Sequence, residues 1–170
     1  MKSRLLTIVF TIINLFANIE QVVCQEETDN KTFGLSASVQ GGQLDIILPI
    51  WVGSKIVIAP AFSVVYVEDA AIDLGVGIAP RFYLRTGRVA PYIGGRAAAF
   101  FLMPSGNAQN ITDWLLGLTL GGEYFLDPKF SIGVEAQANF AISDDFSGRF
   151  GNPGGLSLNT ATAIFVSIYF

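Results

Sequence analysis

Residues 158–170 read LNTATAIFVSIYF. Taken alternately, Leu158, Thr160, Thr162, Ile164, Val166, Ile168 and Phe170 fall on one face. Asn159, Ala161, Ala163, Phe165, Ser167 and Tyr169 fall on the other. A period of two held this long is the pattern of a β-strand with two chemically different faces. The stretch 130–142, FSIGVEAQANFAI, repeats it. There Phe130, Ile132, Val134, Ala136, Ala138, Phe140 and Ile142 alternate with Ser131, Gly133, Glu135, Gln137, Asn139 and Ala141.

The same alternation recurs back to Thr32. Trp114, Leu116, Leu118, Leu120, Gly122, Tyr124 and Leu126 share a face, as do Pro91, Ile93, Gly95, Ala97, Ala99 and Phe101. Ile72 to Leu84, Ile56 to Tyr66, Leu44 to Ile50 and Phe33 to Val39 complete the set. The pattern predicts eight strands, most of about nine residues or more, which suits a tilted strand crossing a bilayer. Gly41-Gly42, Gly53-Ser54, Glu68-Asp69, Thr86-Gly87 and Asp127-Pro128 supply turn residues between them. Two longer connections cover 104–110 and 144–155. Short links between successive strands predict an up-and-down antiparallel meander. Pro49, Pro60 and Pro80 stand inside predicted strands, where each removes a ladder donor.

Composition narrows the class. Of the 170 residues, 51% are hydrophobic and 14% charged, against about 25% charged in ordinary soluble domains. No uninterrupted apolar run reaches the roughly 18 residues of a spanning helix. The net charge of −4 comes with no basic cluster, so nucleic acid is not an expected partner. The chain has no histidine and one cysteine, Cys24. No metal site, cofactor or catalytic residue is therefore expected. Lys2 and Arg4 followed by the apolar stretch Leu5–Ala17 read as a secretory signal, with cleavage after Cys24. The expected organisation is a signal peptide at 1–24, a flexible lead-in at 25–31 and one β-barrel at 32–170.

Alternation alone does not say which face is wet; the second face decides. It carries Ser36, Ser38, Gly75, Gly77, Ala79, Gly94, Ala98, Gly117, Thr119, Gly121 and Gly133. A solvated strand face is richer in long polar side chains. Small residues suit the cramped interior of an eight-strand barrel, which leaves the large apolar face for lipid. The expected fold is all-β: an eight-stranded antiparallel up-and-down transmembrane barrel.

The last strand, with Ile164, Val166, Ile168 and a terminal Phe170, resembles the C-terminal strand of outer-membrane barrels. The stretches Leu116–Phe140 (LGLTLGGEYFLDPKFSIGVEAQANF) and Ala90–Ala98 (APYIGGRAA) are similar to the outer-membrane β-barrel-domain family of OmpA/OmpX/OmpW type. The resemblance covers about residues 32–170. It implies export to the bacterial outer membrane, contact with the bilayer and lipopolysaccharide-type lipids, and a monomer. It also implies that the barrel-assembly machinery reads Ile164, Val166, Ile168 and Phe170. Both termini would face the periplasm. No peptidoglycan-binding domain is expected after Phe170.

Parity places Asp45, Asp73, Arg81, Arg85, Arg96, Glu123 and Glu135 inside. A turn at Asp127-Pro128-Lys129 would set Glu123 opposite Gly133 and Glu135 opposite Gly121. A turn at Arg85–Arg88 would set Arg96 opposite Gly77. Arg81, Arg96, Glu123 and Glu135 are thus expected to form a space-filling charge network. The competing reading, an acid/base pair of Glu123 and Glu135, lacks the histidine on which outer-membrane lipid A acyl enzymes and proteases rely. Trp51, Tyr66, Trp114, Tyr124, Tyr169 and Phe170 are expected in the interfacial girdles. The longer loop offers Asp144, Asp145, Phe146 and Arg149 as a surface contact segment. The expected role is structural or surface-interacting. The alternatives are a narrow path for small or hydrophobic solutes, and a soluble lipocalin-like carrier.

Overall fold

A computed structural model describes residues 32–40, 43–106 and 108–170, with only the backbone of Gln43 and Leu44. The expected signal segment, the lead-in and the Gly41-Gly42 turn lie outside these residues. All regular structure described is β. In chain order the strands are β1 (Gly34–Gln40), β2 (Gln43–Ile47), β3 (Ile50–Trp51), β4 (Ile56–Ile58) and β5 (Pro60–Val67). They continue with β6 (Ala71–Ile78), β7 (Arg81–Tyr83), β8 (Val89–Pro104), β9 (Ile111–Asp127), β10 (Phe130–Ile142) and β11 (Leu156–Tyr169).

These eleven pieces make eight staves, because three pairs are continuations of one another. Ile46 faces Phe62 on the far side of Pro49 and Pro60, and Ile50 faces Ile58 on the near side, in unbroken register. The same holds across Pro80, where Pro60 faces Ile78 and Ile56 faces Phe82. The prolines interrupt the ladder without shifting it. Each lacks a donor, yet each carbonyl still accepts: Pro49 from Gly34, Pro60 from Leu48 and Pro80 from Gly95. The conflict between proline and strand is settled locally, at the loss of one bond per site.

Neighbouring staves pair antiparallel in chain order, and β1 pairs with β11 to close the wall. Following the register once round the barrel displaces it by about ten residues, so the staves are steeply tilted. Eight tilted staves enclose a space only wide enough for side chains.

The outer surface is apolar over the whole wall. Leu116, Leu118 and Leu120 are 60, 69 and 64% exposed, and Phe62, Ile93, Val134 and Ile164 are exposed on other staves. A soluble carrier would bury such residues, so this surface rules out the lipocalin-like reading. Ser36, Ser38, Thr119, Ser131, Gln137, Asn139 and Ser167 are buried on the inner face.

One register differs from expectation. Gly77 faces Ala98, not Arg96. The turn after β7 is longer than four residues, with Leu84 donating its backbone N–H to Pro91. The shift is two residues, so no side chain changes face. Arg96 instead faces Gly117 on β9. The turn before β10 agrees with expectation beyond a bulge at Phe130, pairing Glu123 with Gly133 and Glu135 with Gly121.

Candidate functional site: the barrel lumen and its outer mouth

The lumen is built in layers. At the end that holds Thr32 and Phe170, Trp51 stacks on Tyr83 at 4.8 Å between ring centroids. Tyr83 leans on Tyr92 at 5.3 Å, and Phe125 on Tyr169 at 5.7 Å. These rings form a floor across the barrel, and Tyr83, Tyr92, Phe125 and Tyr169 are buried. Two girdle expectations are corrected here. Trp51 is half-buried in the floor, and Tyr169 is 1% exposed. Both sit on the inner parity of their staves. Tyr66, Trp114, Tyr124 and Phe170 are exposed on the outer surface.

Glu123 lies against this floor and is fully buried. Its carboxylate accepts from the hydroxyls of Tyr83, Ser131 and Tyr169, the last at 2.7 Å. Three donors on one carboxylate offset the cost of removing it from water. Above it, Glu135 accepts from Tyr92 at 2.7 Å and from the Gln137 amide at 2.8 Å. The Arg81 guanidinium stands 3.9 Å from Glu135 and lies over the rings of Tyr92 and Phe165, 5.0 and 4.4 Å from their centroids. Arg96 donates to the amide oxygens of Gln40, at 2.8 Å, and Gln137. The structure therefore brings Arg81, Arg96, Glu123 and Glu135 into one interior. It ties them through hydroxyls and amides as much as through charge pairs.

The glycines that face the charged residues make room for side chains: Gly117 for the Arg96 stem, and Gly121 and Gly133 for rings. A Cβ at Gly121 would collide with the Tyr92 ring, and one at Gly133 with the Phe165 ring. Both are cross-strand neighbours. These two glycines make room for rings, and the glutamates pass alongside. Tyr83, Tyr92 and Phe165 were legible as inward by parity alone. Their importance was hidden because large apolar residues dominate the outer face too.

The opposite end is partly covered by a loop. Loop 144–155 folds back over the mouth. Asp113, 2% exposed, accepts from the backbone N–H of Asp144 at 3.0 Å, the Ser147 hydroxyl at 2.7 Å and Arg149 Nε at 3.3 Å. The other arm of Arg149 reaches Asp73, and its guanidinium lies 4.6 Å from the Phe100 ring centroid. Arg149, expected in the surface contact segment, points inward in this arrangement and pins the loop. Asp144 is half-buried and accepts from the Phe146 backbone N–H at 3.0 Å. Asp145 and Phe146 remain exposed. Arg85, inward by parity, lies beyond the end of β7 and is exposed.

No family model matches the chain, and neither does any curated protein. Among solved structures, the chain is similar to Neisserial surface protein A, with a TM-score of 0.54 and 14% identity. The match covers 81% of this chain and 93% of that one. It is also similar to the N-terminal β-barrel domain of Pseudomonas aeruginosa OprF, with a TM-score of 0.54 and 8% identity over 81% and 95% of the two chains. The fold is that of the eight-stranded outer-membrane β-barrels. At these identities the likeness concerns the wall. The floor of rings around Glu123 and the Arg149 strap are read from this chain's own residues. Together they account for how one end of the lumen is closed and the other partly covered.

Proposed function

We propose that this chain is an outer-membrane protein with a structural or surface-interaction role and a lumen closed by its own side chains. The observation that carries the reading is the floor of Trp51, Tyr83, Tyr92, Phe125 and Tyr169 around a fully buried Glu123. Such a layer supports a closed lumen and keeps Glu123 out of contact with solvent. The proposed role is non-catalytic and needs no cofactor. The exposed Asp145 and Phe146 at the tip of the strapped loop remain as the surface contact segment. Lipopolysaccharide-type lipids and the bilayer are the proposed surroundings, with the assembly machinery acting on Ile164, Val166, Ile168 and Phe170 during biogenesis. The proposed state is a monomer, exported with a cleaved signal peptide.

Membrane fractionation with a heat-modifiability gel shift tests localisation and fold together. Extraction without detergent would overturn the membrane reading. A second reading, a narrow path for small or hydrophobic solutes, draws on one observation. Val65 and Val67 share the inner parity of β5 yet are 50 and 51% exposed, so the outer mouth is accessible on that side. Bilayer conductance separates the two.

A further inference from the structure

The middle of the lumen, between the aromatic floor and Arg96, is not filled. A cavity of about 40 Å³ is lined there by Ser38, Asp45, Arg81, Arg96, Glu135 and Ala163, among others. Arg81 is 3% exposed, yet its Nε and Nη1 have no hydrogen-bond partner among the described residues. The Glu135 oxygen 3.9 Å away is beyond hydrogen-bond reach. A buried guanidinium with idle N–H groups beside an open space is an incomplete site.

The lining selects the occupant. An anion drawn to Arg81 and Arg96 would meet the carboxylates of Asp45 and Glu135 across the same space. A cation drawn to the carboxylates would meet two guanidiniums. A small neutral molecule that both accepts and donates suits both halves. At roughly 10–15 Å³ for each water, the cavity has room for about three or four. Arg81, Arg96, Asp45 and Glu135 in the lining supply both donors and acceptors, the kind of partners a buried water needs. We propose that this cavity is a built water site, in which ordered water accepts from Arg81 and donates to Glu135 and its neighbours. Water, rather than a direct ion pair, then joins the layer above the floor into one network.

Crystals of the full barrel grown in sodium bromide test this directly. The expected result is discrete solvent density in the cavity, with one peak within hydrogen-bond distance of Arg81 Nη1 and no bromide anomalous signal. Bromide in the cavity would make it an anion site. An empty cavity with Arg81 turned onto Glu135 would make it dry. Either result overturns the proposal. In nanodiscs, the Ala163 methyl should show a cross-peak to long-lived water, lost in Arg81→Met. A cross-peak that survives in folded Arg81→Met would also overturn it, because the water would not be held by Arg81. If that variant does not fold, the bromide crystals and the unmodified protein's cross-peak still decide.

Discussion

Glu123 shows how one residue can set the conditions for a whole layer. Its carboxylate is out of water and accepts from Tyr83, Ser131 and Tyr169. Replacing it with Ala leaves three buried hydroxyls without their acceptor, at about 1–3 kcal/mol for each one left unmade. Glu123→Ala should therefore lose at least about 3 kcal/mol in urea unfolding from lipid vesicles. An unchanged midpoint would mean that the hydroxyls re-pair at no cost. Gly133 makes a complementary case. Valine suits a strand better than glycine does, yet here its side chain would enter the Phe165 ring. Gly133→Val should lower the unfolding midpoint. Gly133→Val with Phe165→Ala should recover part of the loss, and failure to recover would show that the clash lies elsewhere.

Among the elements, the loop between β10 and β11 behaves as a strap held from beneath. Asp113 on β9 and Asp73 on β6 hold Arg149, and Asp113 also holds Ser147. In intact cells a cysteine at Asp145 should label with a membrane-impermeant reagent. One at Ser147 should label slowly, because that site is 3% exposed and bonded to Asp113. In an Arg149→Ala background the Ser147 cysteine should label several-fold faster, with the heat-modifiable band retained. Equal rates in both backgrounds would show that Arg149 does not hold the strap. The last strand makes a separate demand. Phe170 lies exposed on the outer surface, stacked on Phe33 at 5.3 Å. Deleting it removes little buried area, so the folded barrel should keep its stability. If Phe170 serves as an assembly signal, the deletion should instead lower the amount of heat-modifiable protein reaching the membrane. An undiminished amount would remove that role.

For the whole molecule, the two closures act in series. The ring floor blocks one end of the lumen, and the strap covers part of the other. Purified monomer in planar bilayers should give no large stable channels. Arg149→Ala alone should leave it non-conducting, because the floor remains. Porin-like conductance from the unmodified protein would reject the closed lumen and favour the transport reading. Cysteine at Thr86, in the turn after β7 at the end of the barrel that carries Thr32 and Phe170, should stay unlabelled in intact cells. Labelling there with protection at Asp145 would invert the orientation.

The alternation over 32–170 determined the strands, their number and the face each side chain takes, because a two-residue period leaves no other regular backbone. It also determined that lipid meets the outer face, since the inner one holds small and polar residues too compact for a solvated surface. Three prolines looked like breaks and are not, because a barrel stave can lose one donor and keep its register. What the sequence did not contain was distance across the lumen. The register of Arg96 depended on the length of one turn. The pairing of Gly121 with Tyr92, and of Gly133 with Phe165, depended on which stave lay beside which. Tyr169 read as a girdle residue although its parity is inward, because ring chemistry at a strand end outweighed the alternation, and Arg149 read as a surface contact because a loop carries no parity. Only closure of the wall placed Tyr83 and Tyr169 on Glu123, and only the fold of loop 144–155 carried Arg149 into the mouth. Those contacts join residues 40, 46, 36 and 76 positions apart, a range over which local patterns hold no information and packing decides.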